Sequence, residues 1–172
     1  MIDANRSTFS EPGEEHLYET RLIIAGRHVA PDPIVAFDRR GPVSDAIVTR
    51  AAAGRATEAR AAATAAAHAF GNWAATKPQD RVAILSRAAD AMILQADEVV
   101  HIASAEVGSA PEWVRFNVEL AAGMLRQTAE LVDQLGDCPT PLEGYALRRR
   151  PSGVVLGIAP WNAAVALATR AV

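Results

Sequence analysis

Apolar positions along this chain recur at two spacings, and each spacing points to a different element. Over residues 22–29, "LIIAGRHV" sets aliphatic residues on both sides of a small-residue turn in which Gly26 can take positive φ. That pattern predicts a short hairpin. A second extended pair is expected at 34–38 and 46–51, around the turn "GPVSD" at 41–45. The polar opening "MIDANRSTFSEPGEEH" carries no such pattern, and residues 1–20 read as a disordered tail.

From residue 57 to residue 75 an alanine-rich run of high helix propensity predicts a first helix, with Phe70 and Trp73 anchoring its end. Thr76 and Gln79 then stand at the spacing of a capping box, and Pro78 falls in the first turn, where its missing donor costs nothing. Val82, Leu85, Ala89, Met92, Ile93, Ala96, Val100 and Ala103 follow at a helical period, predicting one buried face up to Gly108. Ser109, Pro111 and Glu112 repeat the device for a third helix. Its buried face is expected at Trp113, Phe116, Leu120, Met124, Leu131 and Leu135, with Gly136 as its stop. After the proline-broken loop "DCPTPLEG", residues 145–150 alternate as an exposed strand would. The apolar run 153–158 suits a strand covered on both faces.

Half of the 172 residues are hydrophobic, but many of these are alanine and only 5% are aromatic, so the surface available for a core is thinner than the fraction suggests. The formal net charge of -3 comes from interleaved acids and bases, which argues against nucleic acid and an acidic membrane surface as partners. The basic run at 148–150 lacks interleaved aromatics and reads as a solvated or subunit-contacting strand. One cysteine, with no secretory signal or membrane-length apolar stretch, points to a cytoplasmic protein.

His16, His28, His68 and His101 are scattered, with no carboxylate or cysteine at ligand spacing, so no metal site is expected. Cys138 lies between Asp137 and Pro139, where a neighbouring carboxylate raises a thiol's pKa, and reads as a free loop thiol. Gly153 and Gly157 do not make the G-x-G-x-x-G dinucleotide fingerprint. Asn162 stands apart because it follows an expected strand at the end where open α/β sheets place ligand contacts. Its amide could donate to a developing oxyanion. It could equally cap a helix beginning at Ala163, and on these residues alone the cap has the greater weight.

The segment "PSGVVLGIAPWN" at 151–162 resembles the entry to the cofactor domain of the NAD(P)-dependent aldehyde dehydrogenases. "LIIAGRHV" resembles that family's opening hairpin, "AAAHAFGNWAATKPQDRVAILSRAADAM" its first two helices and "EVGSAPEWVRFNVELAAGMLRQTAELV" its third. "FNVELAAGMLRQTAE" is most similar to the branch that oxidises aromatic aldehydes such as salicylaldehyde or vanillin. The resemblance implies an α/β, aldehyde-dehydrogenase-like fold, as an incomplete N-terminal part with β hairpins, three helices and the first strand of the cofactor domain. The implied organisation is a tail at 1–20, a hairpin and helical part at 21–144, an assembly strand at 145–152 and the start of a truncated dinucleotide-binding sheet at 153–172.

By the same resemblance, Asn162 helps to hold the oxyanion of a thiohemiacetal, and Ile158, Ala159, Pro160 and Trp161 line the cofactor cleft. It implies NAD or NADP, a small-molecule aldehyde and a homo-oligomer for the full-length parent, with no cofactor held by this chain. Two departures stand out. Gly41 to Asp45 replaces the family's usual Asn-Pro-x-x-Gly turn, which asks Asp45 to take positive φ, and Ala164 stands where a proline commonly follows. The family's cofactor-gripping lysine and glutamate, base glutamate and nucleophilic cysteine would all lie downstream, so this chain alone is expected to be inactive. The alternative expectation is a non-enzymatic helical module that pairs through its apolar helix faces and the strand at 145–150.

Overall fold

The computed structural model describes residues 17–29, 35–132, 144, 145 and 149–171. Three strands form one sheet: β1 (Tyr18–Thr20), β4 (Ala36–Arg40) and β5 (Ile47–Ala52), in the order β1-β5-β4. β4 pairs antiparallel to β5 as expected, and β1 runs parallel along the other edge, with Tyr18 opposite Thr49. Residues 18–20 therefore belong to the sheet and not to a tail, because the otherwise open edge of β5 supplies backbone partners that local sequence does not reveal. Across the β4–β5 ladder the Arg50 guanidinium donates to both carboxylate oxygens of Asp38, at 2.8 and 3.3 Å.

A separate two-stranded hairpin, β2 (Leu22–Ile24) with β3 (Arg27–Val29), has the expected register, Ile24 facing Arg27. Its two loop residues, Ala25 and Gly26, hold φ of 53° and 72°, the left-handed pair that suits the twist of a tight hairpin.

Among the described residues, four long helices replace the expected three: α1 (Ala56–Ala74), α2 (Pro78–Leu94), α3 (Ala96–Val107) and α4 (Pro111–Leu131). The second expected helix breaks at Gln95, whose φ of -99° and ψ of 6° end α2 and open α3. The apolar period runs unbroken through that joint, so spacing alone could not show it. Gly108 ends α3 in the left-handed conformation, as expected.

Neither expected capping box forms. The N-caps of α2 and α4 are Lys77 and Ala110, both extended, without side-chain caps. Thr76 instead donates its hydroxyl back to the Asn72 carbonyl at 3.0 Å. The proline at the start of each helix, by fixing φ, marks the turn that a side-chain cap would otherwise mark.

The phase of α4 also differs from expectation. Val114, Asn117, Val118, Ala121, Ala122, Leu125 and Ala129 are buried, while Trp113, Phe116, Leu120 and Leu131 are exposed. Small side chains let helices approach closely, and the alanines of α4 meet Leu85 and Ala89 of α2 in a core that also takes Val82, Met92 and Val132. Size is a poor guide to which face points inward when alanine does the packing.

The run at 153–158 forms no strand among the described residues, and its Val154, Val155, Leu156 and Ile158 are exposed. A strand covered on both faces needs a neighbour on each side, and no described strand or helix lies against it in that way. Of the expected strand at 145–150, residues 146–148 lie outside the described residues, as do Leu135, Gly136 and Cys138; Tyr145, Arg149 and Arg150 belong to no strand. Beyond this run come a 3₁₀ turn (Trp161–Ala163) and α5 (Ala164–Thr169), which packs on α4 and buries Ala166 and Thr169.

Candidate active-site turn

Asn162 sits in the 3₁₀ turn, entered through the extended Pro160. α5 starts one turn later, with Ala163 as its N-cap and no side-chain cap bond at either start. The helix-capping role open to Asn162 from sequence is therefore not the one seen. Asn162 is exposed, and its main chain is held from a distant element: the indole Nε1–H of Trp113 donates to the Asn162 carbonyl at 3.0 Å.

Trp113 is itself braced. The Phe116 ring lies 5.8 Å away, tilted by 30°, and the buried Asn117 donates its Nδ2–H to the Trp113 carbonyl at 2.8 Å. Trp113, Val114, Asn117, Trp161, Asn162 and Ala163 line a cavity of about 50 Å³. That has room for a few waters and is far below the hundreds of Å³ of a ligand pocket, so these residues do not enclose a ligand site. A larger cavity of about 310 Å³ opens between α2, α4 and α5, lined by Leu85, Met124, Leu125, Gln127, Thr128, Thr169 and Arg170.

Ile158, Ala159, Pro160 and Trp161 lie on the surface, with Ile158 87% and Trp161 74% exposed. They lead directly into the Asn162 turn, so the five residues expected at the site are contiguous because they are consecutive in the chain, and all five are exposed. Residues 158–162 include no charged side chain.

Among the described residues, none that lines the small cavity beside Asn162 is titratable. The shifted groups sit elsewhere: the Arg50 hydrogen bond holds the Asp38 carboxyl below its usual range, burial followed by the charge of Glu98 raises the Tyr18 phenol, and Asp97 raises Arg115. Among the described residues no group of three or more His, Cys, Asp or Glu is placed to hold a metal ion, and no helix is long and apolar enough to cross a membrane.

Residues 29–172 match the profile of the aldehyde dehydrogenase family. The chain belongs to that family. It is 44% identical over 160 residues to a vanillin dehydrogenase of Pseudomonas sp. (strain HR199 / DSM 7063), covering 91% of this chain and 33% of the relative. A salicylaldehyde dehydrogenase of Pseudomonas putida is 33% identical over 158 residues, with 90% and 33% covered. The crystal structure of the salicylaldehyde dehydrogenase from Pseudomonas putida G7 complexed with salicylaldehyde superposes with a TM-score of 0.81 at 32% identity, covering 90% of this chain and 33% of that one. The chain thus spans about a third of the length of the relatives it matches.

Within this aldehyde dehydrogenase fold, Trp113 is the site neighbour that sequence reasoning misplaced, since it was read as core. The one signal available was its chemistry, because an indole N–H half-covered by protein seeks an acceptor.

Proposed function

We propose that this chain forms the N-terminal third of an enzyme that oxidises an aromatic aldehyde to its carboxylic acid with NAD or NADP, and that Asn162 is its oxyanion donor. The observation that carries the reading is the Asn162 turn: its main chain is fixed by α4 while neither helix start uses its side chain as a cap. The similarity to vanillin and salicylaldehyde dehydrogenases supports the aromatic substrate class.

A thiolate supplied from beyond the described residues adds to the aldehyde carbon, and the π electrons move onto oxygen. The Asn162 amide, preorganised on the turn, donates a hydrogen bond to that oxygen as its charge develops. NAD or NADP, when bound beside Ile158, Ala159, Pro160 and Trp161, would supply the acceptor for the hydride lost from the former aldehyde carbon. Ile158, Ala159, Pro160 and Trp161 would line the cofactor cleft as an apolar wall that excludes water from one side of it. Water then adds to the thioester carbon while the family's base glutamate, implied downstream, takes its proton; the C–S bond breaks, releasing the acid and restoring the thiolate. The same reading includes a cytoplasmic homo-oligomer. The 172-residue chain alone, without nucleophile or base, does not turn over.

The experiment compares the 172-residue chain with the longer reading frame, assayed with vanillin and salicylaldehyde and with each nicotinamide cofactor, following absorbance of the reduced ring. Turnover is expected only in the longer protein, and there Asn162→Ala should lower kcat about 10²- to 10³-fold. A longer protein that turns over neither aldehyde would sink the assigned substrate class.

The exposed Phe116, Leu120, Leu131, Val155 and Leu156 favour a second reading, a helical module that binds another protein. It predicts a defined hetero-complex and no dehydrogenase activity in any longer product of the locus.

A further inference from the structure

We propose that Trp113 is a positioning residue for Asn162, acting through the main chain of the turn; this inference rests on the oxyanion role assigned above. The bond from Trp113 Nε1–H to the Asn162 carbonyl spans 49 positions of sequence and joins α4 to a segment with little structure of its own. On one side of Asn162 lies the unladdered run ending at Pro160, and on the other a helix of only six residues. The orientation of the Asn162 peptide is therefore set from outside the turn. Trp113 suits this because it stands near the start of α4, which among the described helices buries the most residues; its indole lies against the Phe116 ring, and its main-chain carbonyl accepts from the buried Asn117.

The carbonyl that Trp113 holds is bonded to the same Cα that carries the Asn162 side chain. Rotating that peptide swings the amide, and misplacement of a reacting contact by about 1 Å costs up to about 100-fold in rate. In the 172-residue chain Trp113 is 47% exposed, so the indole is open enough there for its N–H exchange to be read. A phenylalanine would keep an aromatic ring while losing the donor together with the pyrrole part of the indole, and methionine would lose the donor with a different change of shape.

Two measurements test the proposal. In the 172-residue chain, hydrogen exchange of the indole N–H groups is followed by NMR, with the more exposed Trp161 as internal reference. The Trp113 proton should exchange at least about tenfold more slowly, and equal rates would overturn the bond on which everything rests.

In the full-length enzyme, Trp113→Phe, Asn162→Ala and the double variant are compared for kcat and KM. Trp113→Phe should lower kcat about tenfold, or about 1.4 kcal/mol of transition-state stabilisation, with KM within about twofold. It should lower kcat no further on the Asn162→Ala background. Independent, multiplying losses would overturn the proposal, since Trp113 would then act other than through Asn162. Trp113→Met, which also lacks the donor, replaces the phenylalanine variant if that one does not fold, and must show the same pattern. If Asn162→Ala leaves kcat unchanged, the oxyanion reading falls and no amide remains to be positioned; if Asn162→Ala is impaired and Trp113→Phe is not, only the positioning role falls.

Discussion

Ala25 and Asp45 both hold positive φ, at 53° and 55°, yet only the second is of a residue type that tolerates it readily. Asp45 was legible in the sequence, because a turn lacking the family's usual glycine still needs a residue able to bend left-handed. Ala25 was not, because glycine at the next position drew the whole inference. Replacing Ala25 by Gly should stabilise the protein by about 0.5–1 kcal/mol in urea unfolding, the relief of strain exceeding the added chain entropy. Gly41 presents the opposite case: a Cβ there would stand 3.0 Å from both the Ala105 carbonyl oxygen and Ser44 Oγ. Gly41→Ala should cost about 1–3 kcal/mol by the same measurement, since a main-chain oxygen at the end of α3 cannot step aside easily.

Helix existence was readable because alanine-rich propensity and proline-marked starts are local, whereas helix phase and helix joints are not. α4 shows this best, since its inward face is set by how closely α2 can approach across small side chains, a property of the pair. Val118, 1% exposed, should cost about 2 kcal/mol on truncation to alanine, while Phe116, 51% exposed, should cost well under 1 kcal/mol despite its greater size. The reverse order in thermal melts would restore the phase expected from sequence. α1 buries no residue, so its end is secured from α2 instead. The Arg81 guanidinium donates to the carbonyls of Trp73, Ala74 and Thr76 at 2.9, 3.1 and 3.2 Å and lies 5.1 Å from the centre of the Trp73 ring. Arg81→Met should leave the α2–α4 core intact and speed amide exchange in the last turns of α1, by roughly tenfold.

Across the whole molecule, the family fold was readable from several segments that resemble it in order and spacing, but the strand expected at 153–158 was not formed, because strand burial depends on neighbours that a segment cannot encode. Charge acts at this scale too. Arg50 depresses the Asp38 pKa in the folded state, so this pair contributes stability above the ordinary carboxylate range, near pH 4, and loses it as pH falls through the lower folded value. Acid titration should therefore leave the β4–β5 ladder unaffected at pH 5 and above, and Asp38→Asn should remove the acid-dependent part of its unfolding. An unchanged acid limb in that variant would assign the transition to other carboxylates.

The sheet order places β5 between a strand that precedes it by one turn and a strand that lies about thirty residues upstream. Closing the short β4–β5 loop costs less chain entropy than bringing β1 in from afar, so the ladder zips in an order fixed by connectivity. β4 and β5 make the template, and β1 is the late arrival that seals its open side.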